Sequence, residues 1–158
     1  MNNLELERRL KDFPVRVICA DELPISIGKR PRTYVVNTDP CSMPGSHWTV
    51  FHFPRLGPPE FFDSMGERAK TYNSRFEYVL ANNTLGYLYT PDQIQPEDSD
   101  TCGAYCIHIV RERYRHRSFR DVLKDFSREK LEENDRKVLK FIRGKKRIQR
   151  GGHQGSRD

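Results

Sequence analysis

The sequence predicts a single α+β domain in which a sheet of short strands is flanked by helices. Stretches rich in β-branched and aromatic residues at 33–38, 46–53 and 60–63 follow one another with only short turns between them. Segments with apolar residues at helical spacing lie before and after this group and do not alternate with it. Grouped strands bracketed by helices are typical of α+β proteins, and 158 residues are enough for one domain.

The first half of the chain carries the predicted sheet. An amphipathic pattern predicts a helix over 3–13, and a short extended piece follows at 15–20. Proline and glycine mark 21–32 and 39–45 as loops. The strand at 46–53 has apolar side chains on both faces, so we expect it to be central. Its short connections predict a mostly antiparallel sheet.

The second half of the chain is predicted to be mainly helical. Its elements are a helix over 67–81, a strand at 87–89, a polar loop over 90–101, a helix over 102–116, and two helices capped by Ser118 and Ser127. The last helix is expected to end near Gly144, because glycine is common just past helix C-termini.

The positive charge of the chain is concentrated at its C-terminus. The chain has 28 Lys and Arg against 22 Asp and Glu, a net charge of +6. Residues 143–158 contain six of the basic residues and one acidic residue. We therefore predict a folded domain over 1–142 and a disordered basic tail over 143–158. The tail residues that form a candidate tether for nucleic acid are Arg143, Lys145, Lys146, Arg147 and Arg150.

No segment of the sequence has the features of a membrane span or an export signal. The chain lacks a run of 18 apolar residues, and residues 1–13 carry charges throughout. We therefore expect an intracellular monomer with no membrane partner, and we expect its four cysteines to be free thiols. Cys19 is interpreted as a small core residue and Cys41 as a thiol in an exposed loop.

The residues around Cys102 combine the features of an activated thiol. Cys102 is predicted on the first turn of an apolar helix, where unpaired N–H groups and the helix dipole favour a thiolate. His47 could form an ion pair with this sulfur, and Asp63 could orient the imidazole. The side-chain amide of Gln95 and the N–H of Cys102 are candidate donors to an oxyanion. Gly103 is expected to leave room for a substrate backbone.

Less specific interpretations apply to other residues of the same types. A cysteine on an apolar helix is more often a core residue, and this is our interpretation of Cys106. His52 and His108 are interpreted as ordinary strand and helix residues. A zinc site made from His47, Cys102, Cys106 and His108 would have the wrong ligand spacing, so we expect no metal cofactor.

A group of basic residues follows the predicted nucleophile helix. Its members are Arg111, Arg113, Arg115, His116, Arg117 and Arg120. We interpret the group as a solvated face that complements the negative end of the helix dipole. A phosphate-binding patch is the alternative.

Taken in order, these motifs resemble a known family. They are Val36-Asn37-Thr38, Gly45-Ser46-His47-Trp48, Phe61-Phe62-Asp63-Ser64-Met65-Gly66, and Gln95 followed by Asp98 to Cys106. The set is similar to the adenovirus-type cysteine proteases, which also occur in Maverick/Polinton transposons and share a clan with ubiquitin-like-modifier proteases. The resemblance implies a papain-like α+β fold with permuted catalytic order. It also implies a general base, an orienting acid, an oxyanion donor and a nucleophile at His47, Asp63, Gln95 and Cys102.

The function implied by the resemblance is cleavage of viral or transposon-encoded precursor proteins, in the nucleus or the virion. A protease that removes ubiquitin-like modifiers is one alternative, and an inactive binding module with the same fold is another. In the adenoviral enzymes, a peptide activator binds through a cysteine between the acid and the oxyanion glutamine. This chain has no cysteine from residue 42 to residue 101, which argues against such an activator. Activation by DNA is an alternative, although the basic excess that would bind DNA is confined to the tail.

Overall fold

The computed structural model describes the backbone of residues 1–151 and the side chains of residues 1–143. Within this range the chain has the α+β architecture that the sequence predicts. In chain order its elements are α1 (Asn3–Arg9), β1 (Val15–Ile18), β2 (Arg32–Asn37), β3 (Trp48–Phe53), β4 (Glu60–Phe62), α2 (Ala69–Tyr72), α3 (Ser74–Asn83), β5 (Leu88–Tyr89), α4 (Cys102–Arg113), α5 (Phe119–Leu123) and α6 (Leu131–Gly151). A 3-10 turn at Ala20–Glu22 follows β1.

The five strands form one mixed sheet in the order β1-β2-β3-β4-β5. The three central strands are antiparallel, and Val50 of β3 lies opposite Val35 on one side and Phe62 on the other. The edge strands β1 and β5 pair in parallel with their neighbours. The predicted antiparallel arrangement therefore holds for β2 to β4 alone. Longer connections lead out of β1 and into β5, and such connections allow parallel pairing.

Helices cover both faces of the sheet and create two apolar cores. One core lies between the sheet and α4, and its sheet residues are Val35, Trp48, Val50 and Phe62. The other lies between the sheet and α3, and its sheet residues are Ile18, Tyr34, Val36, Phe51, Phe53 and Phe61. β3 is buried along its whole length, which confirms the central position expected from its two apolar faces. α4 is buried from Cys102 to Val110.

Two of the predicted helices are shorter or broken. The helix expected over 67–81 is divided at Asn73 into α2 and α3. The backbone of Asn73 is extended, and its side chain accepts a hydrogen bond from the N–H of Phe76 at 2.9 Å. This cap starts a new helix, because asparagine satisfies a first-turn N–H that has no helical partner. The first helix ends at Arg9 rather than at residue 13.

The last helix is longer than the sequence predicts. α6 continues to Gly151 instead of stopping near Gly144, so the predicted domain boundary after residue 142 falls inside a helix. The side chains of the tail cations from Lys145 onward, and all of residues 152–158, lie outside the described residues. The candidate tether for nucleic acid therefore stays a prediction.

The pairing of the cysteines differs from the expectation of four free thiols. Cys19 and Cys41 form a disulfide across 22 residues, with their Cα atoms 5.2 Å apart. β1 and β2 run in parallel, so the segments that follow them leave the sheet at the same edge. A backbone hydrogen bond from Ala20 to Asp39 at 3.0 Å holds these segments together. Cys102 and Cys106 remain as buried free thiols.

Candidate active site

The fold brings three of the predicted site residues to one edge of the sheet. His47 directly precedes β3 and Asp63 directly follows β4, and these two strands are antiparallel neighbours. The start of one strand therefore lies beside the end of the other. Cys102 is the first residue of α4, which packs on the face of β3. Three distant stretches of the chain thus converge, as the sequence predicts.

The imidazole of His47 is held by a buried carboxylate. His47 Nε2 lies 2.5 Å from Asp63 Oδ1, and the Asp63 side chain has no exposed surface. The ring of Tyr72 packs against the imidazole, with ring centroids 5.6 Å apart. The bond to Asp63 occupies Nε2, so Nδ1 is the ring nitrogen that remains for the thiol of Cys102.

Asp63 is itself fixed by three further donors. Its Oδ1 accepts the backbone N–H of Met65 at 3.1 Å, and its Oδ2 accepts the N–H of Glu67 at 2.9 Å. The hydroxyl of Tyr72 donates to the same Oδ2 at 2.6 Å. Donors that are already in place fix the direction of the carboxylate. Asp63 therefore holds the imidazole of His47 in one orientation.

A tight turn directly after Asp63 makes these bonds possible. Gly66 adopts a φ of +76°, a conformation that other residues rarely adopt. A Cβ atom at this position would lie 2.6 Å from the backbone of Asp92 and Gln93. Glycine is therefore required both by the turn and by the close approach of the loop that leads to Gln95.

The thiol of Cys102 has the surroundings of a stabilised thiolate. The residue is 7 % exposed, and its Sγ accepts the backbone N–H of Trp48 at 3.4 Å. Burial by itself would raise the pKa of Cys102. Hydrogen bonding to His47, the charge of His47, and the N–H groups of Trp48 and Gly103 outweigh burial and lower the pKa of Cys102 below its ordinary value.

His47 is shifted in the complementary direction. Burial would lower the pKa of this imidazole, but hydrogen bonds to Asp63 and Cys102, with their negative charges, raise the pKa to about 9. A lowered thiol pKa and a raised imidazole pKa are the two halves of a thiolate–imidazolium ion pair. The electrostatics of the site thus favour this charged pair over the neutral thiol and imidazole.

Gln95 lies in the same cleft but its amide is already bonded. Gln95 Nε2 donates to the carbonyl oxygen of Ser99 at 2.9 Å and to Ser99 Oγ at 3.1 Å. Its Oε1 accepts the hydroxyl of Ser64 at 2.5 Å. The chain of hydrogen bonds continues from Ser99 through Thr101 to Asp135 on α6. An oxyanion role for Gln95 thus requires that one N–H leave Ser99.

A cleft of about 900 Å³ opens onto these residues. His47, Cys102, Trp48 and Gln95 all line it. Loop 39–45 forms part of its wall, and the Cys19–Cys41 disulfide ties that wall to the end of β1. The volume is in the range of ordinary ligand sites and is sufficient for a few residues of an extended peptide.

The space beside Gly103 is filled by the N-terminal residue. A Cβ atom on Gly103 would lie 3.1 Å from Met1 Cβ and 3.2 Å from Met1 Sδ. The indole N–H of Trp48 donates to the carbonyl oxygen of Met1 at 3.0 Å, which holds Met1 in this position. The expectation that Gly103 makes room for a substrate backbone is therefore wrong in this structure, because Gly103 makes room for Met1.

The other predicted histidine and arginine roles are structural. The ring of His52 bonds Thr33 at 2.7 Å, and burial together with the charge of Arg113 lowers the pKa of His52 to about 4. Arg113 forms two hydrogen bonds of 2.8 Å with Glu60. Arg117 pairs with Glu112, Asp121 and Asp125. These two arginines fasten α4 to its neighbours and leave Arg115, His116 and Arg120 on the exposed surface.

Metal ligation has little support in the described part of the chain. One group there, Cys19, Glu22 and Cys41, has the spacing of metal ligands. The disulfide consumes both of its sulfurs, so a single carboxylate remains as a ligand. Among the described residues, no helix is both long enough and apolar enough to cross a bilayer.

Several residues that build the site escape prediction from sequence. Tyr72 has the spacing of a core residue on a helix, and only the fold places its hydroxyl on Asp63. Ser64 and Ser99 fix Gln95 from two sides. Ser64 directly follows Asp63 and Gly66 lies three residues after it, and both belong to the Phe61–Gly66 motif, which gave them no role of their own.

Comparison of the chain with protein-family models gave no match, and comparison with curated proteins found no similar one. The function must therefore be inferred from the geometry and chemistry of the site.

Proposed function

We propose that this protein is a cysteine endopeptidase whose nucleophile is Cys102, whose general acid and base is His47 and whose orienting acid is Asp63. The observation that carries the proposal is the convergence of these three side chains in one cleft, with pKa shifts of the thiol and the imidazole in opposite directions. A buried thiol without an activating partner has a raised pKa and is a poor nucleophile.

The proposed reaction proceeds through an acyl-enzyme. The Cys102 thiolate attacks the carbonyl carbon of the scissile peptide bond, and a tetrahedral oxyanion forms. The imidazolium of His47 gives its proton to the departing amine as the C–N bond breaks. His47 then takes a proton from water, whose oxygen attacks the thioester and releases the acid and the thiolate. Asp63 keeps the imidazole in one orientation through both steps.

Two groups are proposed to bind the oxyanion. The backbone N–H of Cys102 lies in the first turn of α4, where N–H groups have no partner within the helix. The amide of Gln95 is the second donor, after one of its N–H groups exchanges Ser99 for the substrate oxygen. The N–H of Cys102 is available in the free protein, whereas the amide of Gln95 must first release Ser99.

We also propose that the fold is a papain-like one with permuted order and that the protein is an adenovirus-type protease. The order of the elements supports this, since the histidine strand and the acid precede the helix that carries the cysteine. Under this proposal the substrates are virus- or transposon-encoded precursor proteins.

The proposal is tested by the rate at which iodoacetamide alkylates the free thiols, followed by peptide mapping. We expect Cys102 to react far faster than Cys106 at pH 7, because only the Cys102 pKa is lowered. The Cys102 rate is expected to rise as the thiol ionises, at a pH below that of an ordinary thiol because its pKa is lowered. Equal, slow labelling of both thiols would identify an inactive binding module.

Cleavage assays then separate the two kinds of protease. Peptidase activity is expected to rise with ionisation of Cys102 and to fall again near pH 9, because His47 loses its proton there and can no longer protonate the leaving amine. Cleavage of a ubiquitin-like fusion with no cleavage of unstructured peptides would assign the site to modifier removal instead.

A further inference from the structure

The walls of the catalytic cleft carry negative charge in a chain that is basic as a whole. The chain has 28 Lys and Arg against 22 Asp and Glu. The described lining of the cleft nevertheless contains no Lys or Arg and five carboxylates, which are Glu5, Glu22, Asp39, Glu97 and Asp100. The imbalance is thus a local property of the cleft and does not follow from composition.

Most of these carboxylates lack a compensating charge within the described residues. Glu5 lies 3.7 Å from the guanidinium of Arg9. Glu22 accepts a hydrogen bond from the backbone N–H of Cys19 but forms no ion pair among the described side chains. For Asp39, Glu97 and Asp100, the described part of the structure contains neither a hydrogen bond nor an ion pair to the carboxylate.

The cationic groups in the cleft do not offset this charge. His47 and Cys102 have no net charge as a pair, because moving a proton from the thiol to the imidazole creates one positive and one negative charge. The amino group of Met1 contributes at most one positive charge. The lining therefore stays negative at neutral pH.

The carboxylates come from separate segments of the cleft lining. Glu97 and Asp100 lie in the loop that leads directly into α4 and Cys102. Glu22 and Asp39 lie in the segments that follow β1 and β2, which the Cys19–Cys41 disulfide and the Ala20–Asp39 backbone bond hold together. A peptide bound in the cleft beside Cys102 thus lies among negative charges from both parts of the lining.

From these observations we infer that the cleft selects basic substrates, namely peptides with lysine or arginine near the scissile bond. The inference rests on the proposed function and adds a substrate class to it. Complementary charge accelerates encounter and like charge opposes it, and both effects weaken as salt screens the exposed carboxylates. Acidic peptides are rejected for the same reason.

The test uses three fluorogenic peptides that share the same length and the same residues at the scissile bond. Their flanks carry lysine, glutamine or glutamate. We expect kcat/KM to fall in that order, with about tenfold or more between the lysine and glutamate peptides at low ionic strength. Raising the salt concentration is expected to shrink this ratio severalfold.

A variant with Asp39→Asn, Glu97→Gln and Asp100→Asn removes three negative charges from the cleft and touches no catalytic side chain. Its preference for the lysine peptide is expected to fall to about threefold or less, with the glutamine peptide cleaved at nearly the wild-type rate. The matched control, Asp12→Asn with Glu129→Gln and Glu133→Gln, removes the same charge from exposed positions outside the cleft lining. The control is expected to keep the full preference.

The failure of this inference is distinguishable from failure of the proposed function. Equal cleavage of the three peptides by wild type, lost in Cys102→Ala, would overturn the charge selection and leave the endopeptidase standing. An equal loss of preference in the cleft variant and its control would likewise overturn it, since net charge alone would then explain the effect. Absence of cleavage together with unreactive Cys102 would overturn the proposed function itself.

Discussion

Cys102 and Cys106 lie one turn apart on α4, and both are buried free thiols, yet they differ in acidity. Burial raises the pKa of Cys106 well above its ordinary value, and the negative charges of Cys102 and Asp63 add to the effect. For Cys102 the same penalty of burial is outweighed by His47 and by two backbone N–H groups, so its pKa is lowered. Placement at the first turn and at the cleft decides which thiol can act as a nucleophile, and burial alone does not.

The two histidine–carboxylate pairs also differ in their position relative to the cleft. His47 and Asp63 lie 2.5 Å apart beside a thiol and a cleft. His108 and Asp125 lie 2.8 Å apart, but His108 is 4 % exposed and stacks on Phe141 with ring centroids 4.7 Å apart. A histidine oriented by a carboxylate becomes catalytic only where a nucleophile and a substrate can reach it.

The largest expected effect comes from replacing each of the two thiols in turn. Cys102→Ala is expected to lower kcat/KM by about 10⁴-fold or more, because the covalent step is lost. Cys106→Ala leaves the chemistry intact and is expected to cost about 1 kcal/mol in the free energy of unfolding. Peptide cleavage and urea unfolding measure the two quantities. Cleavage by Cys102→Ala at the wild-type rate would refute the mechanism.

Next in size is the comparison of the two histidines. His47→Ala is expected to lower kcat by about 10³-fold, since the proton donor and the partner of the thiolate are both removed. His108→Gln is expected to destabilise the fold by about 2 kcal/mol and to keep the alkylation rate of Cys102 in the folded protein. The measurements are single-turnover cleavage and iodoacetamide labelling below the unfolding transition. Loss of Cys102 reactivity in the folded His108 variant would contradict this division of roles.

A smaller effect separates two roles of Gln95, which are binding of the oxyanion and support of the loop at Ser99. Gln95→Ala is expected to lower kcat by about 100-fold, the usual result of losing one such donor. Ser99→Ala frees one N–H of Gln95 and keeps the amide, so its kcat is expected to stay within about threefold of wild type. Steady-state kinetics with one peptide is the measurement. If both variants lose the same activity, Gln95 serves to hold the loop and does not bind the oxyanion.

The smallest of these effects concerns the residue that supports Asp63. Tyr72→Phe removes the hydroxyl that donates to Asp63 Oδ2 but keeps the ring against His47. We expect kcat to fall about tenfold, which corresponds to the lower limit for the loss of one hydrogen bond to a charged group, about 1.5 kcal/mol. KM is expected to stay unchanged, because Tyr72 does not belong to the lining of the cleft among the described residues. A rise in KM with constant kcat would place Tyr72 in substrate binding instead.

Local patterns predicted the order of most elements but not all of their ends. The two apolar faces of β3 correctly indicated a central strand, because burial on both sides needs no knowledge of the neighbours. The break at Asn73 and the extension of α6 to Gly151 were missed. Helical periodicity shows only which residues form the buried stripe of a helix. It does not detect a capping residue that divides the helix in two.

The candidate site was likewise predicted from the sequence only in part. His47, Asp63, Gln95 and Cys102 were found from residue type and order, because thiol chemistry needs a base, an acid and oxyanion donors in some arrangement. The disulfide between Cys19 and Cys41 was not predicted, because the pairing of these cysteines depends on two strands that run in parallel. Prediction from cysteine count and the lack of an export signal gave the wrong answer for this pair.

The sequence by itself determined the chemical parts, namely a cysteine at a helix start, a histidine before a strand and an aspartate after another. Residue type sets what a side chain can donate, accept or attack, and helical or strand periodicity sets which local face it takes. Only the tertiary structure decided that Met1 fills the space at Gly103, that Tyr72 supports Asp63, and that separated carboxylates line one cleft. Those contacts join residues far apart in the chain, and their distances follow from the packing of the whole sheet and its helices.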